Sequence, residues 1–261
     1  MLKSNNYCKE IIVIFALPPL ERTQPSIDLI SKIAIDKPRK IIDIGCGPGN
    51  STQILNERWS SCDILGIDNS ESMISRAQSD FPDQKWQLFD AETDTFQDTY
   101  DVVYSNATIQ WIHNHGLLLK KLSDIVNSGG VLAIQVPLFF SMAIGKSLRR
   151  IAQDKRWAHN TKDVDGLFTM LNYFDYYDIL SGLFNKIDLW ETHYIHIMDS
   201  HSSILDMIRG AGLRPYIDRI ENNEEKMQFE KTVLDSITSD YRVQKDGKVL
   251  FPFDLFFIGY K

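Results

Sequence analysis

The chain has 261 residues, 43% of them hydrophobic and 24% charged, which is typical of a globular protein and excludes a low-complexity or collagen-like architecture. Its 28 Lys and Arg residues against 35 Asp and Glu give a formal net charge of -7, so the overall basic field that holds extended nucleic acid is missing. Cys8, Cys46 and Cys62 form no CxxC pair, which argues against a disulfide framework and favours a reducing cytoplasm. The apolar run 11–17 is far shorter than the roughly 20 residues that span a bilayer, and we expect no membrane association.

From about residue 40, short apolar runs alternate with longer amphipathic segments. This pattern is typical of buried parallel strands joined by crossover helices. Two helices are predicted, over residues 51–59 and 70–79, and Ser70 is the expected N-cap of the second. The predicted strands are 40–43, 63–68, 86–90, 101–105 and 131–136. The order predicts an α/β fold with a right-handed, doubly wound sheet.

The second half of the chain has a different pattern, with helical segments before and after a single alternating strand. No Gly/Ser or Pro linker separates two units, so we expect one domain over residues 1–261, with its ligand site at the carboxyl ends of the strands. The predicted parts are an N-terminal lid segment 1–30, helical additions 140–183 and 198–245 above the carboxyl edge, and strands 187–197 and 250–260.

The sharpest motif is IIDIGCGPGNS at residues 41–51, an apolar strand that runs into a glycine-rich turn and then a helix. Gly45, Gly47 and Gly49 permit positive φ angles and let a ligand approach the backbone closely. The helix N-terminus offers unpaired N–H groups to an anion. Asp43 would lie too close to a pyrophosphate, so the expected ligand carries a cation as well as a carboxylate.

Two further carboxylates follow the next two predicted strands. Asp68 lies at about the distance from the glycine turn at which an acidic residue takes ribose hydroxyls, and Asp90 ends the third strand. Taken singly, a glycine-rich turn is often only a tight turn, and an aspartate at a strand end is often a helix cap. With Asp43 on the same edge, the three carboxylates match an ammonium, a ribose diol and an adenine amine, a combination that describes S-adenosylmethionine.

The segment DIGCGPG, followed by GIDNSESMI, resembles the first two motifs of class I S-adenosylmethionine-dependent methyltransferases. Segments such as ERTQP, SNATIQWIHNH, GGVLAIQVP and GLRPY narrow the resemblance to the trans-aconitate 2-methyltransferase family, over almost the whole chain. Residues 1–20 and 141–150 depart from that family's pattern. The resemblance implies the seven-stranded methyltransferase sheet, with its last strand antiparallel.

The resemblance also implies which residues contact the cofactor, all of them at or after the ends of four strands. They are Asp43, Gly45, Gly47, Gly49, Asp68, Asn69, Asp90, Ala91, Asn106 and Ala107. The first four would form the methionyl pocket, the next two would take the ribose, the following pair would hold the adenine, and the last pair would close over the cofactor.

An acceptor carboxylate is already ionised at neutral pH, because its ordinary pKa is near 4, so its methylation needs no general base. We therefore expect no catalytic acid or base, and look for arginine, tyrosine and aromatic groups that bind and orient a small carboxylic acid. The candidate acceptor-binding residues are Arg22, Gln110, Trp111, Tyr176, Tyr177, His196 and Arg214. For each, a surface arginine or a packed core aromatic is the competing interpretation. Arg149 and Arg150 are expected to form a solvated helix face.

Several alternatives stay open at this point. A carrier-protein-bound acid, such as a malonyl-carrier, would need a basic docking surface, for which residues 149–156 are a weak candidate, and a cofactor-binding homologue without turnover is also consistent. His113 and His115 lack the carboxylate or cysteine cluster of a metal site, so we predict no metal and a solvated histidine pair. Nucleic-acid methylation ranks last, because SNAT replaces the Asn/Asp-Pro-Pro-aromatic run that holds a flipped base. We expect a monomer or a weak homodimer.

Overall fold

A computed structural model describes residues 19–258 of the chain, with side chains described from residue 23 to 253 apart from residue 211. The first part of the predicted lid segment and the apolar run 11–17 lie outside the described residues, as do the last residues of the predicted strand 250–260. Within the described part, no helix is long and apolar enough to cross a membrane.

The described residues contain a seven-stranded sheet in the order β3-β2-β1-β4-β5-β7-β6. The first five strands in that order are parallel, whereas β7 runs antiparallel to both β5 and β6. The strand order reverses between β1 and β4, which is where open α/β sheets bind ligands at their carboxyl edge. The strands are β1 (Lys40–Ile44), β2 (Asp63–Asp68), β3 (Lys85–Leu88), β4 (Tyr100–Asn106), β5 (Val126–Pro137), β6 (Trp190–Met198) and β7 (Val249–Ile258).

A helix follows each of β1 and β2, another lies between β4 and β5, and several more follow β5. The predicted helix after β2 is confirmed, and Ser70 caps it by accepting a hydrogen bond from the Met73 N–H. The α-helices of the described residues are α1 (Pro19–Lys32), α2 (Asn50–Arg58), α3 (Glu71–Asp80), α4 (His115–Asp124), α5 (Ala143–Ala152), α6 (Ala158–Thr161), α7 (Tyr173–Ser181), α8 (His201–Ile208), α9 (Arg214–Ile217) and α10 (Asn223–Asp240).

Helix α1 packs on one face of the sheet, the α1-covered face. This face carries Asp43, Tyr104 and Ala133. The Ser26 and Tyr104 hydroxyl groups are 2.6 Å apart and both residues are buried. On the same face, at the edge of the sheet, the Tyr194 hydroxyl on β6 donates to Asp28 at 2.6 Å. These contacts fix α1 between two strands by specific hydrogen bonds as well as by apolar packing.

The direction of α1 decides which end of it lies near the ligand edge. Its C-terminal end leads into β1 at the amino edge of the sheet. At that end the Arg58 guanidinium donates to the carbonyl oxygens of Ile30 and Ile33. The first turns of α1 therefore lie toward the carboxyl edge.

The chain after β5 forms a second apolar cluster around α5, α8 and α10. This cluster is joined to the loop that follows β4: the Thr169 N–H donates to the Gln110 carbonyl oxygen at 2.8 Å, and the rings of Trp111 and Phe168 are 4.6 Å apart. The helical segment 140–183 thus makes direct contact with the carboxyl edge of the sheet.

Candidate cofactor and acceptor site

The glycine turn after β1 is bent back onto β2. Gly45, Gly47 and Gly49 have φ angles of 71°, 54° and 98°, the region that favours glycine. A Cβ on Gly45 would lie 2.1 Å from the Thr108 side chain, and one on Gly49 would lie 2.7 Å from the Trp86 ring. A Cβ on Gly47 would meet nothing within 4 Å. Close packing therefore requires glycine at positions 45 and 49, whereas the absence of a side chain at Gly47 leaves the backbone open to a ligand.

Asp43 is fully buried beneath this turn. Its Oδ2 accepts hydrogen bonds from Ser51 at 2.6 Å and from Thr52 at 2.7 Å, while Oδ1 is buried without a hydrogen-bond partner among the described residues. Burial raises the pKa of Asp43 to about 6, the two hydroxyl groups lower it, and the nearby charge of Asp68 raises it. Ser51 and Thr52 were not among the predicted site residues; their signal is a pair of hydroxyl residues that open the helix after the acidic strand.

Asp68 lies at the end of β2, as predicted, and holds the glycine turn in place. Its Oδ2 accepts the Gly47 N–H at 2.9 Å, and its Oδ1 accepts the Ser70 N–H at 2.9 Å. Burial raises the pKa of Asp68, whereas these two backbone bonds lower it. Each carboxylate oxygen has a second lone pair, so the carboxylate retains capacity for ribose hydroxyls. Asn69 beside it is exposed.

The third predicted carboxylate lies outside the sheet. Strand β3 ends at Leu88, two residues before Asp90, so Asp90 starts a turn in which its Oδ1 accepts the Glu92 N–H at 2.9 Å. Ala91 is buried. The predicted strand 86–90 therefore ends two residues too late, although the turn still follows the carboxyl edge.

The end of β4 carries strained backbone and unpaired amide groups. Ala107 has a φ of 54°, the one such non-glycine residue in the described part of the chain. Gln110 is 5% exposed, and its amide donates to the Ala107 carbonyl oxygen at 2.6 Å. Within the described part of the chain, neither Oε1 of Gln110 nor Oδ1 of Asn106 has a hydrogen-bond partner. Backbone strain and unpaired buried polar groups together are typical of a ligand site.

The unpaired atoms at the β1 and β4 ends share one chemistry. Asp43 Oδ1, Asn106 Oδ1 and Gln110 Oε1 are all acceptors. An ammonium group supplies several donors and a positive charge, and it would satisfy such acceptors. With the open backbone at Gly47, these residues fit the methionyl end of S-adenosylmethionine.

Tyr176 does not point a free hydroxyl toward a ligand. It is 1% exposed, and its hydroxyl lies 2.8 Å from Nδ1 of His115. The other ring nitrogen of His115 is 2.8 Å from the Ile109 carbonyl oxygen. Burial lowers the pKa of His115, so the neutral ring bridges α7 to the turn that carries Gln110. The prediction of a solvated His113–His115 pair is wrong for His115, and the role of Tyr176 is to position this turn.

We expect Tyr176→Phe to lower the free energy of unfolding by about 1–3 kcal/mol, because it leaves His115 Nδ1 buried without its partner. Tyr177→Phe is the matched control, since Tyr177 is 53% exposed on the same helix. Urea unfolding of both variants measures the difference. Equal stability of the two would contradict the assigned hydrogen bond.

A row of aromatic rings extends from the β4 end into the helical segment. Trp111 is 40% exposed and packs on Phe168, whose ring is 5.3 Å from that of Phe140. The Arg149 guanidinium lies 3.7 Å from the Phe140 ring centre and 3.2 Å from Asp165. Arg149 nevertheless keeps 46% of its side chain exposed, so it lies on the predicted solvated helix face while stacking and an ion pair hold its guanidinium.

Two other arginines of segment 149–156 also make contacts within the chain. Arg150 is exposed, as predicted, and donates to the Ser236 hydroxyl at 3.3 Å, and Arg156 pairs with Asp154 at 2.9 Å. With Arg149 paired to Asp165, two of the arginines in this segment have an acidic partner within the chain, which weakens the case for a basic surface for a carrier protein.

The remaining acceptor candidates lie in different environments. Tyr177 is exposed, and His196 is 7% exposed between the rings of Phe251 and Phe253. Arg214 opens α9 with its side chain 24% exposed and its Nε 3.2 Å from Asp218. Arg22 belongs to α1, and its side chain lies outside the described part.

Comparison with known proteins matches this architecture. A family model described as a methyltransferase domain matches residues 21–212. The trans-aconitate 2-methyltransferase of Rhodopseudomonas palustris strain BisB5 is 34% identical over 243 residues, which cover 92% of this chain and 94% of that protein. The trans-aconitate 2-methyltransferase of Escherichia coli O139:H28 is 33% identical over 238 residues, covering 91% and 92%.

Solved structures share the fold at low sequence identity. A putative methyltransferase from Bacillus halodurans superposes with a TM-score of 0.59 at 13% identity, covering 90% of this chain and 97% of that one. The phosphoethanolamine N-methyltransferase 2 of Haemonchus contortus, solved with S-adenosyl-L-methionine, gives 0.57 at 15% identity, covering 91% and 52%. The predicted class I methyltransferase fold is confirmed, and the chain belongs to the methyltransferase domain family and, within it, to the family of the trans-aconitate 2-methyltransferases.

Proposed function

We propose that this protein is an S-adenosylmethionine-dependent O-methyltransferase that forms a methyl ester on one carboxylate of trans-aconitate or a closely similar small polycarboxylic acid. The observation that carries the proposal is the 34% identity, over 92% of the chain, to a trans-aconitate 2-methyltransferase. The unpaired acceptor atoms at the strand ends support the same conclusion for the cofactor.

The cofactor supplies an electrophilic methyl group on a positively charged sulfur. In the proposed arrangement, Asp43 and Asn106 hold its ammonium, while the open backbone at Gly47 and the N-terminus of α2 hold its carboxylate. Asp68 and Asn69 take the ribose. Asp90 and Ala91 take the adenine, and Ala107 closes the pocket from β4.

The acceptor carboxylate needs binding and orientation but no proton transfer, because it is ionised at neutral pH. Trp111 and Phe168 provide apolar rings that exclude water from the reacting atoms. Guanidinium groups then neutralise the remote carboxylates, and Arg214 and Arg22 are the proposed donors.

The helical segments 140–183 and 198–245 are proposed to cap the acceptor site within one domain over residues 1–261. The contact of Thr169 with the turn after β4 supports this placement. We also propose a cytoplasmic location and a monomer or weak homodimer. Sedimentation of the purified chain checks the oligomeric state.

The direct test is incubation of the purified chain with S-adenosylmethionine and a panel of di- and tricarboxylic acids, followed by mass spectrometry of the products. The proposal expects a mono-methyl ester of trans-aconitate and little product from acids without the same carboxylate spacing. Cofactor binding without an ester from any acid would refute the proposed substrate class and leave a binding protein.

Arg214→Ala is expected to raise the KM for the acid about tenfold or more, because a charged hydrogen bond to a carboxylate is lost. The affinity for S-adenosylmethionine should stay unchanged. Arg209→Ala is the matched control, since Arg209 pairs with Asp206 and Glu230 at the surface nearby. A fall in cofactor affinity would show that Arg214 binds the cofactor and not the acid.

A further inference from the structure

Gln135 is a buried amide near the end of β5 that none of the roles above employs. Its side chain is 1% exposed, and its Nε2 has no hydrogen-bond partner among the described residues. It lies in the GGVLAIQVP segment, where the neighbouring strand residues are apolar. A buried, unpaired N–H donor is costly, so a ligand that accepts its hydrogen bond would stabilise it.

The sheet register places Gln135 beside the site. It pairs with Asn106 on β4, one step beyond the pair of Tyr104 and Ala133 on the same face. Because side chains two residues apart on a strand share a face, Gln135 belongs to the α1-covered face near the carboxyl edge. The Gln135 carbonyl oxygen accepts the N–H of Ala107, the strained residue at the β4 end.

Helix α1 passes over the same place. Ser26 on α1 contacts Tyr104, and the earlier turns of α1 lie closer to the carboxyl edge. One helical turn of about 5.4 Å is close to the rise of two strand residues, about 6.6 Å. The start of α1, including Arg22, is therefore level with the register pair of Asn106 and Gln135.

Gln135 differs in chemistry from the other unpaired groups at this edge. Asp43, Asn106 and Gln110 each leave an acceptor oxygen unpaired, which suits the cofactor ammonium, whereas Gln135 leaves a donor. An ammonium cannot accept that hydrogen bond, but a carboxylate can. The cofactor's own carboxylate is drawn to the α2 N-terminus beside β1, which is two strands, or about 10 Å, from β5.

We propose that Gln135 binds the acceptor acid by donating a hydrogen bond from Nε2 to one of its carboxylates. This inference rests on the proposed function, since it requires a carboxylate acceptor. The acid would then lie between the carboxyl ends of β4 and β5 and the start of α1. The cofactor would lie beyond Asn106, on the side of β1.

Gln135→Met tests the proposal, because methionine keeps the length of the side chain and removes the donor. The KM for the acid should rise about tenfold or more, while the dissociation constant of S-adenosylmethionine, measured by calorimetry, stays within twofold. The melting temperature should not fall, because no intramolecular hydrogen bond is broken. Gln87→Met, at an exposed position on β3, is the matched control and should change none of these values.

The possible results separate the two ideas. If the wild-type chain methylates no acid, the proposed function fails, whatever Gln135 does. An active wild type with an unchanged KM in Gln135→Met would overturn the role of Gln135 alone. A tenfold loss of cofactor affinity would also overturn it, by assigning the amide to the cofactor. Gln135→Glu should raise the KM further than Gln135→Met, since it places a carboxylate against the acid.

Discussion

Asp43→Asn is expected to weaken binding of S-adenosylmethionine about 10- to 100-fold, because the variant loses the negative charge that faces the cofactor ammonium. The asparagine oxygen can still accept the hydroxyl groups of Ser51 and Thr52. The glycine turn should therefore keep its conformation. Calorimetric titration with S-adenosylmethionine measures the loss.

The same variant is expected to be more stable than the wild type without cofactor at neutral pH. Burial raises the pKa of Asp43 from its ordinary 3.8 to about 6, so ionising it opposes folding. Its contribution to stability is fully present below pH 3.8 and is lost as the pH rises through about 6. Asp43→Asn should therefore gain about 1–3 kcal/mol at pH 7 and little at acid pH.

Urea unfolding of both chains at pH 5 and pH 7.5 measures the difference in their free energies of unfolding, which should be larger at pH 7.5. Asp68 also has a raised pKa and titrates in both chains, so the difference between them reports Asp43 together with its coupling to Asp68. Cofactor affinity of the wild type should fall as the pH drops below about 6, and the variant should not show this dependence. A variant that binds the cofactor normally would refute the placement of Asp43.

Gly45→Ala is expected to destabilise the fold by about 2–5 kcal/mol, because strain at positive φ adds to overpacking. Its Cβ would lie 2.1 Å from the side chain of Thr108, and the φ angle at this position is 71°. Cofactor binding should be lost together with the fold. Thermal unfolding followed by circular dichroism measures the effect.

Gly47→Ala is the matched variant in the same turn. It has a comparable positive φ of 54°, but a Cβ there would meet nothing within 4 Å, so only about 1–2 kcal/mol of backbone strain is expected. The methyl group would instead enter the space where the cofactor approaches the backbone. A stable Gly47→Ala chain with strongly reduced affinity, beside an unstable Gly45→Ala chain, is the predicted pair of results. The reverse order would show that the turn has been assigned incorrectly.

The glycine turn and the carboxylates of the proposed cofactor site were predictable because they are specified by local sequence. An apolar strand that ends in Asp43 and continues through alternating glycines specifies a turn and a helix N-terminus within about ten residues. The strand ending in Asp68 adds the second carboxylate at the same edge, since parallel strands present their carboxyl ends together.

The surroundings of the proposed acceptor site were less predictable, because their side chains meet only through long-range packing. Tyr176 is 61 positions from His115, and nothing local indicates that these two side chains bond to each other. Arg149 is basic in sequence, but only the structure shows that it stacks on Phe140 and pairs with Asp165. In the sequence, Gln135 is a single polar residue in an apolar strand, and only the sheet register shows that it pairs with Asn106.

The sequence by itself determined the α/β fold, the glycine turn and the strand-end positions of Asp43 and Asp68, because hydrophobic periodicity and turn chemistry act over a few residues. Only the tertiary structure decided which polar groups remain unpaired. Hydrogen-bond satisfaction depends on partners that are distant in the chain, so Asp43, Gln110 and Gln135 became distinguishable from other buried polar residues only once their surroundings were placed.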